Sequence, residues 1–131
     1  MRILVTGSRY WRDLHTVEVA LREVWLKHHA GAAPEDTVVV HGGARGADAC
    51  AAVLAPRMGF KVEEHPADWD RHGKAAGPIR NQYMVDLGAD VCLAFPIGES
   101  RGTRDCIRAA EKAGIPVLVR EGGPYLREGE E

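Results

Sequence analysis

Three glycine-bearing segments carry the residue types that cradle an anion: Thr6-Gly7-Ser8-Arg9, Gly42-Gly43-Ala44-Arg45-Gly46-Ala47-Asp48 and Pro96-Ile97-Gly98-Glu99-Ser100-Arg101-Gly102-Thr103. Glycine has no Cβ, so its backbone can approach a phosphate closely. A turn that opens a helix adds free N–H groups and the positive end of the helix dipole. The chemistry implied is recognition of a phosphorylated ligand. Taken singly, each cluster serves equally well as a tight strand-to-helix turn. None matches G-x-x-x-x-G-K-[ST] or an orderly G-x-G-x-x-G, which argues against a P-loop nucleotidase and a standard dinucleotide fingerprint.

Arginines follow the same geography: Arg9, Arg12, Arg45, Arg101 and Arg104 fall in these segments or in the turns after them, and Arg71 and Arg80 in or just after a long polar connection at 66–77. Arg80 with Asn81 stands out, because a guanidinium can grip a phosphate bidentately while a neighbouring amide orients the ligand. Arg101 and Arg104 are weaker candidates, and several of the others are solvated. Trp69 offers an aromatic face for a base or ribose, or else pins its own loop to the body. His72 and Lys74 read as solvated. Asp48 and Asp105 are placed in first helical turns, where negative charge is favourable whether or not a ligand is present.

These residues need a scaffold that gathers them at one edge. Three short buried-strand runs are evident, Ile3-Leu4-Val5, Thr37-Val38-Val39-Val40-His41 and Val91-Cys92-Leu93-Ala94-Phe95. Continuous runs of this kind are covered on both faces. Two weaker runs, Phe60-Lys61-Val62-Glu63 and Pro116-Val117-Leu118-Val119, complete a set of five. Leu14, Val17, Leu21, Val24 and His28 recur at helical steps from a start near Asp13 to a stop at Gly31. Small residues from Gly46 to Ala55 give a short helix that Pro56 kinks or ends. Pro78 at a first helical position opens another, with Ile79, Tyr83 and Leu87 on one face and a stop at Gly88. A last helix spans Thr103 to Ala113. Strands alternating with helices imply parallel crossovers, and so an α/β, three-layer, Rossmann-like fold. Pro66 to Gly77 is a polar connection of about twelve residues where two to six would suffice. Ligands in such sheets bind beyond the carboxyl ends of the strands.

Composition bounds the rest. The chain has 131 residues, 45% of them apolar, which suits one domain over residues 1–120, with a flexible tail at 121–131. The 17 Lys and Arg against 19 Asp and Glu leave a net charge of −2, which disfavours a purely electrostatic binder of nucleic acid or membrane. No apolar run is long enough to span a bilayer. Cys50, Cys92 and Cys106 are odd in number and widely spaced, so neither a disulfide framework nor a thiolate zinc site is encoded, and a cytoplasmic location fits. The one close histidine pair, His28-His29, points to different helix faces, and no metal is expected. No cofactor is expected either, since Lys27, Lys61, Lys74 and Lys112 stand in no recognisable attachment context.

Taken together, V-T-G-S-R (5–9), H-G-G-A-R-G-A-D (41–48), A-D-W (67–69), A-G-P-I-R-N (76–81) and S-R-G-T-R-D (100–105) resemble the YspA/YpsA-type branch of the SLOG superfamily, over about residues 1–120. The resemblance implies a five-stranded parallel sheet of order 3-2-1-4-5 and a pocket for a nucleotide or nucleotide-derived ligand. It also implies a role in sensing or processing nucleotide signals, often in bacteria or phage. The ligand-binding residues expected are Gly7, Ser8, Arg9, Gly42, Gly43, Arg45, Gly46, Asp48, Trp69, Arg80, Asn81, Ser100, Gly102 and Thr103. Phosphate is expected at Gly7-Ser8-Arg9 and Gly102-Thr103, with the ligand's other end near Gly43 and Trp69.

The related Lonely Guy phosphoribohydrolases cleave a base from a nucleoside 5′-monophosphate and carry P-G-G-x-G-T-x-x-E. Gly102-Thr103 resembles the G-T of that motif and Arg80 its helix arginine, but Cys106 stands where those relatives place Glu, and Asp105 comes one position early. If an N-glycosidic bond is cleaved, a carboxylate must steady the developing oxocarbenium ion or activate water. Asp105 is the first candidate, with Asp48 and Asp68 in reserve. Cys106 as nucleophile is disfavoured. Resemblance to the Rossmann domain of the DNA-processing protein DprA adds single-stranded nucleic acid as a lesser alternative. Some relatives are oligomeric, and Trp11, Trp25 or the apolar side of the helix at 79–87 could supply a homo-oligomer interface.

Overall fold

A computed structural model describes residues 1–28, 31 and 33–122. In chain order the elements are β1 (Arg2–Gly7), α1 (Leu14–His28), a 3₁₀ turn (Pro34–Asp36), β2 (Val38–His41), α2 (Ala47–Arg57) and β3 (Lys61–Glu64). They continue with α3 (Trp69–His72), a second 3₁₀ turn (Gly73–Ala75), α4 (Ala76–Asp86), β4 (Val91–Phe95), α5 (Arg101–Lys112) and β5 (Val117–Val119). All strand pairs are parallel, in the order β3-β2-β1-β4-β5. The expected α/β class and strand order are therefore present.

Alternation along the strands sends successive side chains to opposite faces, so each central strand feeds two cores. Ile3, Val5, Val39, Leu93 and Phe95 pack under α1 and α2 with Val17, Leu21, Ala51 and Leu54. Leu4, Val40 and Cys92 pack on the other face with Met84, Val85, Cys106 and Ala110 of α4 and α5. Each fully buried Leu, Ile or Val side chain contributes roughly 1.5–3 kcal/mol. β4 is buried at all five positions, whereas β3 and β5 are edge strands and largely exposed. Trp11 lies in the first core at 5.2 Å from Phe95, and Trp25 packs on Phe60 at 6.0 Å, so both tryptophans are core-facing.

Several boundaries differ from expectation. α2 runs past Pro56 to Arg57, because a proline in the last turn forfeits only one bond before the helix closes. The closure is made by Gly59 (φ +83°) and the Phe60 N–H, which donates to the Ala55 carbonyl at 2.9 Å. α4 begins at Ala76, two residues before Pro78, whose missing N–H is harmless in a first turn. Its buried side is Ala76, Gly77, Asn81, Met84 and Val85, while Ile79, Tyr83 and Leu87 are exposed. The apolar stripe at steps of four is thus the outer one, and a polar Asn81 sits inside. The long 66–77 connection is mostly helical, with Asp68 Oδ1 accepting the Arg71 N–H at 3.1 Å to cap α3. On α1, Glu18 reaches Arg22 at 3.6 Å, and Glu23 meets Arg120 at 3.5 Å across the fold. Residues 123–131 of the expected tail lie outside the described residues.

Candidate ligand-binding cleft

A cleft of about 1010 Å³ opens at the carboxyl edge of the sheet. It lies between β1 and β4, which are neighbours whose onward connections run to opposite sides. This is the switch point at which open α/β sheets leave a crevice. The end of β1, the first turns of α4 and α5, and Trp69 and Lys74 from the α3 region form its walls.

The turn after β1 is held tightly. A Cβ on Gly7 would collide with Ala47 and the Phe95 carbonyl. Ser8 is buried, its N–H donates to the Phe95 carbonyl at 2.9 Å, its carbonyl accepts the Ala47 N–H at 3.1 Å, and its Oγ accepts the Tyr10 N–H at 3.1 Å. Arg9 reaches outward over the Tyr10 ring at 5.6 Å. Gly7, Ser8 and Arg9 all line the cleft.

The turn after β2 is closed on itself. Asp48 is buried, and its Oδ2 accepts the Gly42 N–H at 3.0 Å and the Ala44 N–H at 3.2 Å. The Gly43 N–H goes to His41 Nδ1 at 2.9 Å. Two donors that could meet a phosphate are thus met by an internal carboxylate. Burial raises the Asp48 pKa to about 6, opposed by those N–H groups and by Arg80. Gly46 (φ +76°) has no room for a Cβ beneath the Ser8 carbonyl. Asp48 lines the cleft, whereas Gly42, Gly43, Arg45 and Gly46 lie outside its lining.

The turn after β4 is the open one. Ser100 takes a left-handed conformation (φ 41°, ψ 62°), and its Oγ donates to Thr103 Oγ1 at 2.8 Å instead of capping the helix. No acceptor among the described residues meets the N–H groups of Arg101, Gly102 and Thr103. A Cβ on Gly102 would find open space.

Between α4 and α5 lies a polar clasp. Arg80 Nη1 donates to the Gly42 carbonyl at 2.7 Å and to the His65 carbonyl at 3.3 Å, and Nε donates to Asn81 Oδ1 at 2.9 Å. Asn81 Nδ2 donates in turn to Asp105 Oδ2 at 3.1 Å and to the Gly102 carbonyl at 3.2 Å. Asn81 is buried with both ends of its amide engaged, so it orients neighbours rather than offering free groups. Asp105 stands beyond the first turn of α5, since that helix starts at Arg101 rather than Thr103. Arg80, Asn81, Ser100, Gly102, Thr103 and Asp105 share the cleft with Trp69, which is 59% exposed and rests beside Gly77.

Other candidates are placed elsewhere. Asp68 is occupied as the α3 cap and is not part of the cleft lining. Cys106 is fully buried. Residue typing overlooked Arg108, which lines the cleft with Arg101 and Arg104. The i, i+3, i+7 spacing of these three arginines was the signal that places them on one helix face. Arg104 Nη2 donates to the Gly98 carbonyl at 3.1 Å and to Glu121 at 3.0 Å. Among the described residues no group of three His, Cys, Asp or Glu is placed to hold a metal ion, and no helix is long and apolar enough to cross a membrane. His29 lies outside the described residues.

A parallel five-stranded sheet in this order, with a crevice at its switch point, defines a Rossmann-like α/β protein. Within that class the chain belongs to the YspA, cpYpsA-related SLOG family, whose model matches residues 1–72. It is 55% identical over 122 residues to the Gene 61 protein of Mycobacterium phage D29, an alignment covering 89% of this chain and 94% of the phage protein.

Proposed function

We propose that this protein binds a nucleotide or nucleotide-derived small molecule in the cleft and acts as a sensor or processor of a nucleotide signal. Family membership supports ligands of this class. The observation that carries the reading is the uncapped start of α5: three N–H groups without acceptors open into the same cleft as an exposed Trp69. In this reading phosphate sits on Gly102 and Thr103 beside Ser8 and Arg9, and a base stacks on Trp69. Gly42, Gly43, Arg45 and Gly46 then act as the support behind the site. We read residues 1–120 as one domain working in the cytoplasm.

Ligand-observed NMR with nucleoside monophosphates, NAD and ADP-ribose tests this. Saturation transfer to at least one compound, lost in Arg80→Ala with the fold retained, is the expected result. Silence across the pool would overturn the reading.

A second reading, hydrolysis of an N-glycosidic bond, is favoured by one observation: Asn81 orients Asp105 on the cleft wall. The Asp105 carboxylate would steady the sugar as the bond to the base breaks, and water would take the base's place at C1′. Release of free base in the same samples, abolished by Asp105→Asn, would establish it. Intact ligand after hours of incubation would leave a binder.

A further inference from the structure

The cleft gathers far more positive charge than its chain carries. Arg9, Lys74, Arg80, Arg101, Arg104 and Arg108 line it, against Asp48, Glu99 and Asp105. Two of those carboxylates are already engaged, Asp48 by backbone N–H groups and Asp105 by Asn81. Of the cations, Arg80 is held by carbonyls and Asn81, and Arg104 by Gly98 and Glu121. Arg9, Lys74, Arg101 and Arg108 have no carboxylate partner among the described residues. In a chain of net charge −2, four such cations against Glu99, the remaining carboxylate of the lining, leave a local excess of about three around one crevice. One phosphate brings about −2 and cannot balance them.

Their spacing gives the excess a direction. Arg101 and Arg108 are separated by about 10 Å along α5 at 1.5 Å per residue. Helical side chains lean toward the N-terminus, and Arg108 shares the cleft with Arg101 on one face of α5, within reach of the space beside the uncapped N–H groups. An anion on those N–H groups would leave the Arg108 guanidinium for a second anion beside it.

We propose that the cleft is built for a ligand with two linked phosphate groups, such as a nucleoside diphosphate unit, one on the α5 N-terminus and the next between Arg101 and Arg108. This rests on the nucleotide reading and narrows its substrate class, away from nucleoside monophosphates.

The test is calorimetry at fixed ionic strength with inorganic orthophosphate, inorganic pyrophosphate, AMP and ADP, on the native chain and on Arg101→Gln and Arg108→Gln. Both side chains are exposed, so the variants keep the fold, which a thermal melt confirms. Expected are at least tenfold tighter binding of pyrophosphate than of orthophosphate, and of ADP than of AMP, with both ratios collapsing toward one in Arg108→Gln. AMP binding as tightly as ADP would overturn the two-phosphate proposal and keep the nucleotide reading. A pyrophosphate preference with no gain from an attached nucleoside would keep the proposal and overturn the nucleotide reading. Affinity for oligothymidylate that rises with strand length and falls steeply with salt, above that for ADP, would overturn the proposal in favour of nucleic acid. No binding of any of the four compounds would overturn it as well.

Discussion

Asp48 accepts the Gly42 N–H at 3.0 Å and so fills, with a carboxylate of the chain itself, the turn whose glycines look most like a phosphate cradle. The same Oδ2 takes the Ala44 N–H at 3.2 Å. The consequence is a division of labour among three turns of similar composition. The β2–α2 turn is closed by its own carboxylate, the β1–α1 turn is packed against Ala47 and Phe95, and the β4–α5 turn carries three successive N–H groups that meet no acceptor among the described residues.

The Asp48 pKa is raised to about 6 from an ordinary 3.8, so the folded chain holds a proton there that the unfolded chain has released between those values. Stability contributed by this group is therefore greatest when it is protonated, and it declines as pH rises from about 4 to about 6. Asp48→Asn removes the titration while keeping an acceptor for the two N–H groups. Its destabilisation should grow by about 2 kcal/mol between pH 7 and pH 4, measured by urea denaturation. A pH-independent difference would mean that Asp48 is not desolvated as described.

Arg2 Nη1 and Nη2 donate to both Glu63 oxygens, at 3.1 and 2.8 Å, and His65 Nε2 lies 2.8 Å from Glu63 Oε2. Arg2 first, then His65, lowers the Glu63 pKa to about 2. A depressed carboxylate stabilises above its unfolded pKa near 4.5 and loses that contribution as pH falls toward 2. The pair is a third exposed, so solvent screening keeps its worth modest. In Arg2→Met the Glu63 pKa should move back toward the ordinary carboxylate range, read by carboxyl-carbon NMR titration. An unchanged value would assign the depression to His65 instead.

Trp69 should report the ligand directly. Trp11 and Trp25 pack on Phe95 and Phe60, whereas Trp69 is 59% exposed at the mouth of the cleft. Stacking of a base on an indole is worth about 1–3 kcal/mol by alanine substitution. Trp69→Ala should weaken ligand binding about 10- to 100-fold with an unaltered melting temperature, and should remove the ligand-induced fluorescence change. Unweakened binding would make Trp69 a pin against Gly77 only.

What could be read from residue types follows from how strongly burial marks them. Val39, Val40, Leu93 and Ala94 are buried and form unbroken apolar runs, so the central strands are legible. Lys61, Glu63 and Glu64 belong to an edge, where composition is that of any exposed segment, and β3 is faint for that reason. α4 misleads because its strongest periodicity, Ile79, Tyr83 and Leu87, faces outward while the inner side carries Asn81. Within the cleft, glycine and arginine mark the right edge of the sheet, but no spacing tells whether an N–H will face a ligand or an internal carboxylate. Asp48 six residues beyond Gly42 settles that only once the chain has turned.

The clasp at Asn81 couples two walls of the cleft. Its Oδ1 accepts from Arg80 on α4, and its Nδ2 holds Asp105 and the Gly102 carbonyl on α5. Asn81→Ala leaves the half-buried Arg80 and Asp105 without those bonds and should destabilise by about 1 kcal/mol. It should also lower affinity for any anionic ligand, because Arg80 loses its guide. Loss of stability with affinity intact would show that Arg80 is positioned by Gly42 and His65 alone.

Gly46 and Gly102 separate structural from ligand-facing glycine. Gly46 has φ +76° and a Cβ there would strike the Ser8 carbonyl, so Gly46→Ala meets both strained backbone and a fixed neighbour. It should destabilise by about 2 kcal/mol or more, from the left-handed conformation and the displaced turn together. Gly102 has ample space and sits in the first turn of α5, where alanine is the better helix former by about 0.5–1 kcal/mol. Gly102→Ala should therefore melt at the same temperature or slightly higher. Its new methyl group nevertheless stands beside the N–H groups of Arg101 to Thr103, where an arriving phosphate must make its closest approach. Affinity for a phosphorylated ligand should fall at least tenfold while stability holds or rises. If Gly102→Ala binds as tightly as the native chain, the phosphate does not rest on α5, and the turn at Gly7 to Arg9 becomes the anchor.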